Sequence, residues 1–505
     1  MKRPAIFFGL AFFTLCLLGV SFAANLPLAG SLDPSFGGGG VVTHSLGSGE
    51  YPSISAIAVQ PDGKIVVAGG SPPGDHGLLL ARYLADGSPD PSFGDGGYVE
   101  TKFTYWAFAD AVALQPDGKI VVAGSSYQAE GNYDSEFTLA RYNPNGSLDT
   151  SFGTGGITNT PIPEVVGEPG SAASADAVAV LPSGKILAGG WSQWGGIVAP
   201  TESFDLIEYS SNGQPDPAFG NHGIVQTQFD GDDYLSGMAV LPNGEIVATG
   251  TGAAGGVHGT QEIDTMALAR YKPDGTLDPG FGDSGKVTTA PKLRYDGGPA
   301  TLQGTKIVVA GSTRLNSASN FFPVVGRFTE SGRLDSTFGV HGFVEIRRVT
   351  GIPAAVFTQA DRKILVAADN RGYDQQGDGA VVRLLPNGRL DTSFGTGGVV
   401  RLPTEVSAIA SQADQKVLVG GGSGSAWTLN RVLGGNNCVV PGLRGKTVLK
   451  ASSQLKASYC STGHVSKRFS TKVARGRVIS TTPLRGDRLP DGTKVDLTVS
   501  KGKRH

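Results

Sequence analysis

Charge, histidine and cysteine are all scarce in this chain, and the common signatures of catalysis do not occur. Only 17% of its 505 residues are charged, and it holds 7 histidines and 3 cysteines. It has no Gly-x-Ser-x-Gly elbow to expose a nucleophilic serine and no His-Glu-x-x-His pair to hold zinc. The spaced-glycine loop that cradles a nucleotide's phosphates, Gly-x-x-x-x-Gly-Lys-Ser/Thr, is missing too. No catalytic residue, metal or cofactor is therefore expected.

Long apolar runs are equally rare, with one exception at the start. Ala5–Val20 is apolar, Lys2 and Arg3 precede it, and Ser21 and Ala23 offer small residues at cleavage spacing. That pattern predicts a secretory signal over residues 1–23, cut before Ala24. The run is short for a spanning helix, so no transmembrane anchor is expected after cleavage. Cys16 falls in the discarded part, and Leu15 before it does not suit a lipid-anchor site. The remaining Cys438 and Cys460 are expected to pair as a disulfide in an exported protein. With only His464 nearby they make a poor metal site.

The low net charge of −2 hides a division. From Asn436 onward there are 15 Lys and Arg against 3 Asp, a balance of +12. Residues 25–435 carry 25 basic against 41 acidic residues, a balance of −16. A basic tail domain, residues 436–505, thus follows an acidic body, residues 24–435, with the boundary near Gly434–Asn437.

Glycine is what the chain has in abundance: 76 residues, about twice the usual share. Few long helices survive that content, so short strands and tight turns are expected. The body repeats Leu/Pro-Asp-x-x-Phe-Gly, with anchors Phe36, Phe93, Phe152, Phe219, Phe281, Phe338 and Phe394. Such a period signals a repeat array. In the second unit, Ala109–Gln115 alternates, Pro116-Asp117-Gly118-Lys119 turns, and Ile120–Gly124 is a β-branched strand. Phe137–Tyr142 and Gly155–Thr160 supply two more strands. Four short antiparallel strands per unit, repeated radially, describe a propeller blade. The chain opens with an orphan outer strand, Gly40–His44, and its last unit lacks one after Val432. The predicted fold is all-β: a seven-bladed β-propeller closed by its N-terminal strand, which hides both sheet edges.

Gln60–Gly69, Leu80-Ala81-Arg82-Tyr83 and Asp33-Pro34-Ser35-Phe36-Gly37 resemble the delta-sixty repeat family of bacterial exported proteins, regarded as propeller-forming. Unit five departs with Gln303-Gly304-Thr305-Lys306, and unit three has Glu208 where others place arginine. The recurring phenylalanines are expected to pack between blades. The aspartates before them are expected to bond the amides of the following turn and to pair with the arginines Arg82, Arg141, Arg270, Arg327, Arg383 and Arg431.

Variation is more informative about binding. The second-to-third and fourth-to-first connections share one face and vary, whereas the opposite face carries constant turns. Gly189–Phe204 holds Trp191 and Trp194, and Phe103–Phe108 holds Tyr105 and Trp106. These four aromatics are the candidate contacts for a carbohydrate or protein partner. Asp230-Gly231-Asp232-Asp233 lacks the spaced ligand pattern of a calcium loop.

From Cys438 the pattern changes. Val440-Pro441-Gly442-Leu443, a predicted helix over Val448–Tyr459, Leu489-Pro490-Asp491-Gly492 and Lys494–Gly502 resemble a PASTA domain, a small α+β fold of one helix on a three-stranded sheet. The resemblance implies binding to cell-wall muropeptides or wall-like polymers. The basic balance favours an anionic wall polymer, with Lys467, Arg468, Arg475 and Arg477 as candidate contacts. Export and scarce aromatics argue against nucleic acid. The expected protein is secreted or wall-associated and non-enzymatic, a scaffold that presents its propeller loop face. A propeller hydrolase or lyase with a channel active site is the second expectation, and a purely structural adhesion or spacer protein the third.

Overall fold

The computed structural model describes residues 28–46, 52–70, 77–128, 134–162, 171–194, 201–229, 233–253, 264–290, 295–314, 321–369, 378–490 and 492–504. The expected signal segment, the 230–232 part of the acidic loop and the middles of the longest loops lie outside them.

The second unit shows why each repeat becomes one sheet. Ala107–Leu114, Ile120–Tyr127, Ser135–Tyr142 and Ile157–Thr160 pair antiparallel in chain order. The second and third strands are covered on both faces, which is why they read as continuous apolar runs such as Ile120-Val121-Val122-Ala123. The Phe-Gly pair ends the unit for a steric reason. Gly94 sits at φ +50, where a Cβ would lie 2.1 Å from the Tyr98 carbonyl oxygen.

Seven sheets of four or five strands are built this way among the described residues. The first strand of each sheet touches the first strand of the next, and that of the last, Ala408–Ser411, touches that of the first, Ile54–Val59. Val41–Ser45 adds antiparallel to Ala426–Val432, with Val41 opposite Asn430 and Ser45 opposite Ala426. Backbone bonds run between neighbouring sheets as well. Gly94 N–H donates to Asn145 O at 2.8 Å, and the same bond recurs from Gly37 to Asp86 and from Gly153 to Asn212. In the sixth sheet Gly395 N–H donates to Ala29 O, so the N-terminal segment fills the place of a seventh turn.

The repeated Asp, Arg and Phe form one structural unit. Arg82 Nε donates to Asp90 Oδ2 at 2.8 Å, its Nη1 donates to the Pro144 carbonyl of the next sheet, and its guanidinium lies 4.5 Å from the Phe93 ring centre. Asp90 Oδ1 accepts from the Ser92 amide and hydroxyl at 3.0 and 2.7 Å. Burial pushes this carboxyl up, yet the Ser92 and Lys64 hydrogen bonds and the Arg82 charge outweigh it and hold it below the usual range. The pairing recurs at Arg141–Asp149, Arg270–Asp278, Arg327–Asp335 and Arg383–Asp391. It recurs once more at Arg431–Asp33, across 398 residues of chain. In unit three, Glu208 replaces the arginine, and Lys185 Nζ bridges Glu208 and Asp216 at 2.7 Å each.

The tail folds around its own small core of Cys438, Val440, Leu443, Ala451, Leu455, Cys460, Val478, Val495, Leu497 and Val499. Its helix runs Val448–Ala457, two residues shorter than predicted, with Thr447 capping the Lys450 amide. The helix stops in a Schellman arrangement: Cys460 N–H donates to Leu455 O and Tyr459 N–H to Lys456 O. Tyr459 stands at φ +56, in the position where glycine is usual. Ser461–Arg468 pairs parallel and Val478–Thr482 antiparallel with Lys494–Ser500, and Cys438 and Cys460 form the expected disulfide.

Candidate functional site

The four predicted aromatics fall into two groups. Trp106 is 49% exposed and meets Phe108 edge-on at 6.2 Å, while Phe108 meets Tyr127 at the same separation. Trp106 and half-buried Tyr105 precede the first strand of sheet two, on the variable-loop side, so this aromatic rim borders the inner wall. Phe108 and Tyr127 complete it and were not singled out in the sequence.

Trp191 and Trp194 lie in a strand rather than a loop. The second strand of sheet three extends over Ile186–Trp194, because Gln193 and Trp194 keep pairing with Glu202 and Thr201. Both rings are half-buried. Trp194 packs on the core between sheets two and three, and Trp191 lies edge-on to Tyr234 at 5.3 Å.

Trp191 also leads to a feature that sequence reading missed. The first strands of five sheets carry β-bulges, which re-aim a side chain at one point. In sheets two and three the bulges fall at Asp110 and at Ala175–Asp176. The Ser174 hydroxyl donates to Asp110 Oδ2 at 3.2 Å, and the Trp191 indole and Ser174 hydroxyl lie against Asp176. Burial pushes both carboxyls up, and the Asp110 charge pushes Asp176 further. A pair of this kind can hold a shared proton near neutrality, the property a general acid or base needs. The matching bulges hold Ser55, Ser236 and Ala354, so no single unit marks the site. Unit-to-unit comparison of that position is the signal that could have found it.

In the tail, Lys467, Arg468, Arg475 and Arg477 are all exposed. The end of the Lys494–Ser500 strand gathers them. Lys501 N–H donates to Arg468 O on one side, and Ser500 N–H donates to Arg477 O on the other. Phe469, 50% exposed, lies beneath Lys501 and Arg504 at 5.4 and 6.0 Å. Among the described residues no group of three or more His, Cys, Asp and Glu is placed to hold a metal, and no helix is long and apolar enough to cross a membrane.

Comparison with known proteins agrees with the architecture. Residues 60–93, 115–152, 181–219, 241–281 and 359–394 match the family described as "Domain of unknown function (DUF5122) beta-propeller", and residues 439–501 match the PASTA domain. A probable serine/threonine-protein kinase of Clostridium acetobutylicum is 28% identical over 142 residues, which is 28% of this chain and 17% of that protein. This chain therefore spans a small part of that relative's length. A solved protein of unknown function from Dyadobacter fermentans is 13% identical, covering 78% of this chain and 99% of that one with a TM-score of 0.40. The polysaccharide lyase Uly1 is 11% identical, covering 77% and 91% with a TM-score of 0.39. At those values neither structure carries a functional argument. The chain is a nearly all-β protein of DUF5122-type β-propeller repeats with a PASTA domain at its C-terminus.

Proposed function

We propose that this protein is an exported, wall-associated scaffold: its PASTA domain holds an anionic wall polymer or muropeptide, and its propeller presents the loop face to a partner. The observation that carries this is the gathering of Lys467, Arg468, Arg475 and Arg477 at one exposed end of the PASTA sheet, within a tail of balance +12. Such a field attracts polyanions and leaves no cost of burying charge. The test is retention on purified cell walls of the full chain against a variant carrying Lys467→Glu, Arg468→Glu, Arg475→Glu and Arg477→Glu. Loss of retention supports wall binding; equal retention of both removes it.

The seven sheets are read as the blades of one closed ring, supported by the pairing of Val41–Ser45 with Ala426–Val432 and by the sheet-to-sheet backbone bonds. Averaged electron-microscopy views with seven lobes are expected; an open spiral would refute the ring.

A second reading is favoured by one observation. Asp110 and Asp176 sit in the inner wall below the Trp106–Phe108 rim, an arrangement suited to acid–base chemistry on a glycan stacked at the rim. A panel of wall and uronic-acid polysaccharides incubated with the protein tests it. Cleavage that disappears in Asp176→Asn would make the propeller an enzyme.

A further inference from the structure

We propose that the PASTA domain is docked on the propeller and latches it, rather than trailing from it on a free linker. Repetition supplies the internal control. Lys64, Lys119, Lys185, Lys306 and Lys416 occupy one position in their units, and their side chains are 27–39% exposed. Lys363, their counterpart in unit six, is 5% exposed. What covers it is the tail. Lys363 Nζ donates to Asn436 Oδ1 and lies 5.0 Å from the centre of the Tyr459 ring.

The arginine of the same unit departs in the same direction. Elsewhere its Nη1 donates to a carbonyl of the next sheet, as Arg82 does to Pro144 and Arg431 to Ala85. Arg383 Nη1 finds no such acceptor among the described residues, and Nη2, which keeps its usual hydroxyl partner Ser393 Oγ, also donates to Asn436 Oδ1 at 3.2 Å. The chain leaves sheet seven at this point, so the ordinary turn carbonyl is missing and a linker side chain stands beside the guanidinium instead.

Asn437 makes the contact a latch. Its side chain accepts from Ala29 N–H at 2.7 Å and donates to Ala29 O at 2.9 Å, and its own N–H donates to Ser393 O. The first residue of the tail's opening strand, Asn437–Val439, thus clamps the N-terminal segment, which leads into Val41–Ser45, against sheet six. Tyr459 fits the same account. A tyrosine is disfavoured at a left-handed helix end, and here its ring is spent on Lys363. Because Lys363 belongs to the constant-turn face, the docked domain leaves the variable-loop face open. Docking holds whether or not the wall reading does.

Lysine acylation of the folded full chain, read by mass spectrometry, tests the proposal. Lys363 is expected to react at least about fivefold more slowly than Lys64, Lys119 and Lys416; equal rates would overturn docking. Tyr459→Gly restores the usual residue to the helix end and so preserves the tail's fold. It is expected to speed Lys363 alone, and a rate unchanged from the parent chain would overturn the assignment. Asn437→Ala is expected to raise hydrogen exchange at Gly30 and across Val41–Ser45 by about tenfold. Exchange there that matches the parent would overturn the latch.

Discussion

A carboxylate kept ionised in a half-dry site needs several partners, and this chain uses two solutions to the same problem. Asp90 has Arg82 and Lys64, whereas Glu208 and Asp216 share Lys185. Lys64→Met leaves Asp90 its arginine and is expected to cost under about 1 kcal/mol. Lys185→Met strips two carboxylates at once and is expected to cost about 2–3 kcal/mol, because one of them, Glu208, is buried. Guanidinium denaturation midpoints measure the contrast, and equal shifts would contradict it. Asp110 and Asp176 titrate with the opposite sign from Asp90. Their folded pKa values are raised, so the folded chain keeps protons that the unfolded chain releases. Their stabilising contribution is complete below about pH 4. It is lost as pH rises towards about 8, the value to which Asp176 is raised. An Asp110→Asn/Asp176→Asn variant is expected to match the parent's melting temperature near pH 4 and exceed it near pH 8. Parallel profiles would show that the pair is not protonated in the folded chain.

At the scale of elements, two closures matter. Val41–Ser45 covers the edge of Ala426–Val432, and a bare edge is a template for another chain. A chain lacking residues 28–46 is expected to elute from size-exclusion columns as dimers or aggregates; a stable monomer would mean that the edge protects itself. The Cys438–Cys460 bond ties the strand Asn437–Val439 to the tail's helix end. For a loop of this length, reduction is expected to lower tail stability by about 3 kcal/mol. Differential scanning calorimetry with and without reductant measures that loss, and an unchanged transition of the tail would contradict it.

For the whole molecule the electrostatic division decides behaviour. A tail of +12 beside a body of −16 should make wall retention steeply salt-dependent, since the Debye length falls from about 10 Å at 0.1 M salt to about 3 Å at 1 M. Retention on walls is expected to drop across that range; salt-independent retention would point to the propeller as the binding element. The tail's fold followed from its resemblance to a PASTA domain, whereas the repeat, the strand order within each unit, the Asp–Arg pairing and the disulfide were legible in the residues themselves. The last four depend on local periodicity, turn chemistry and cysteine pairing, which can be read along the chain. Folding alone reveals that Asp110 and Asp176 converge, that Trp191 lies against Asp176 and Tyr234 rather than in an open loop, and that Lys363 is covered by Tyr459. Apart from Trp191 and Asp176, which share a sheet, those contacts join residues from different units or domains, and no spacing along one strand encodes the distance between neighbouring sheets.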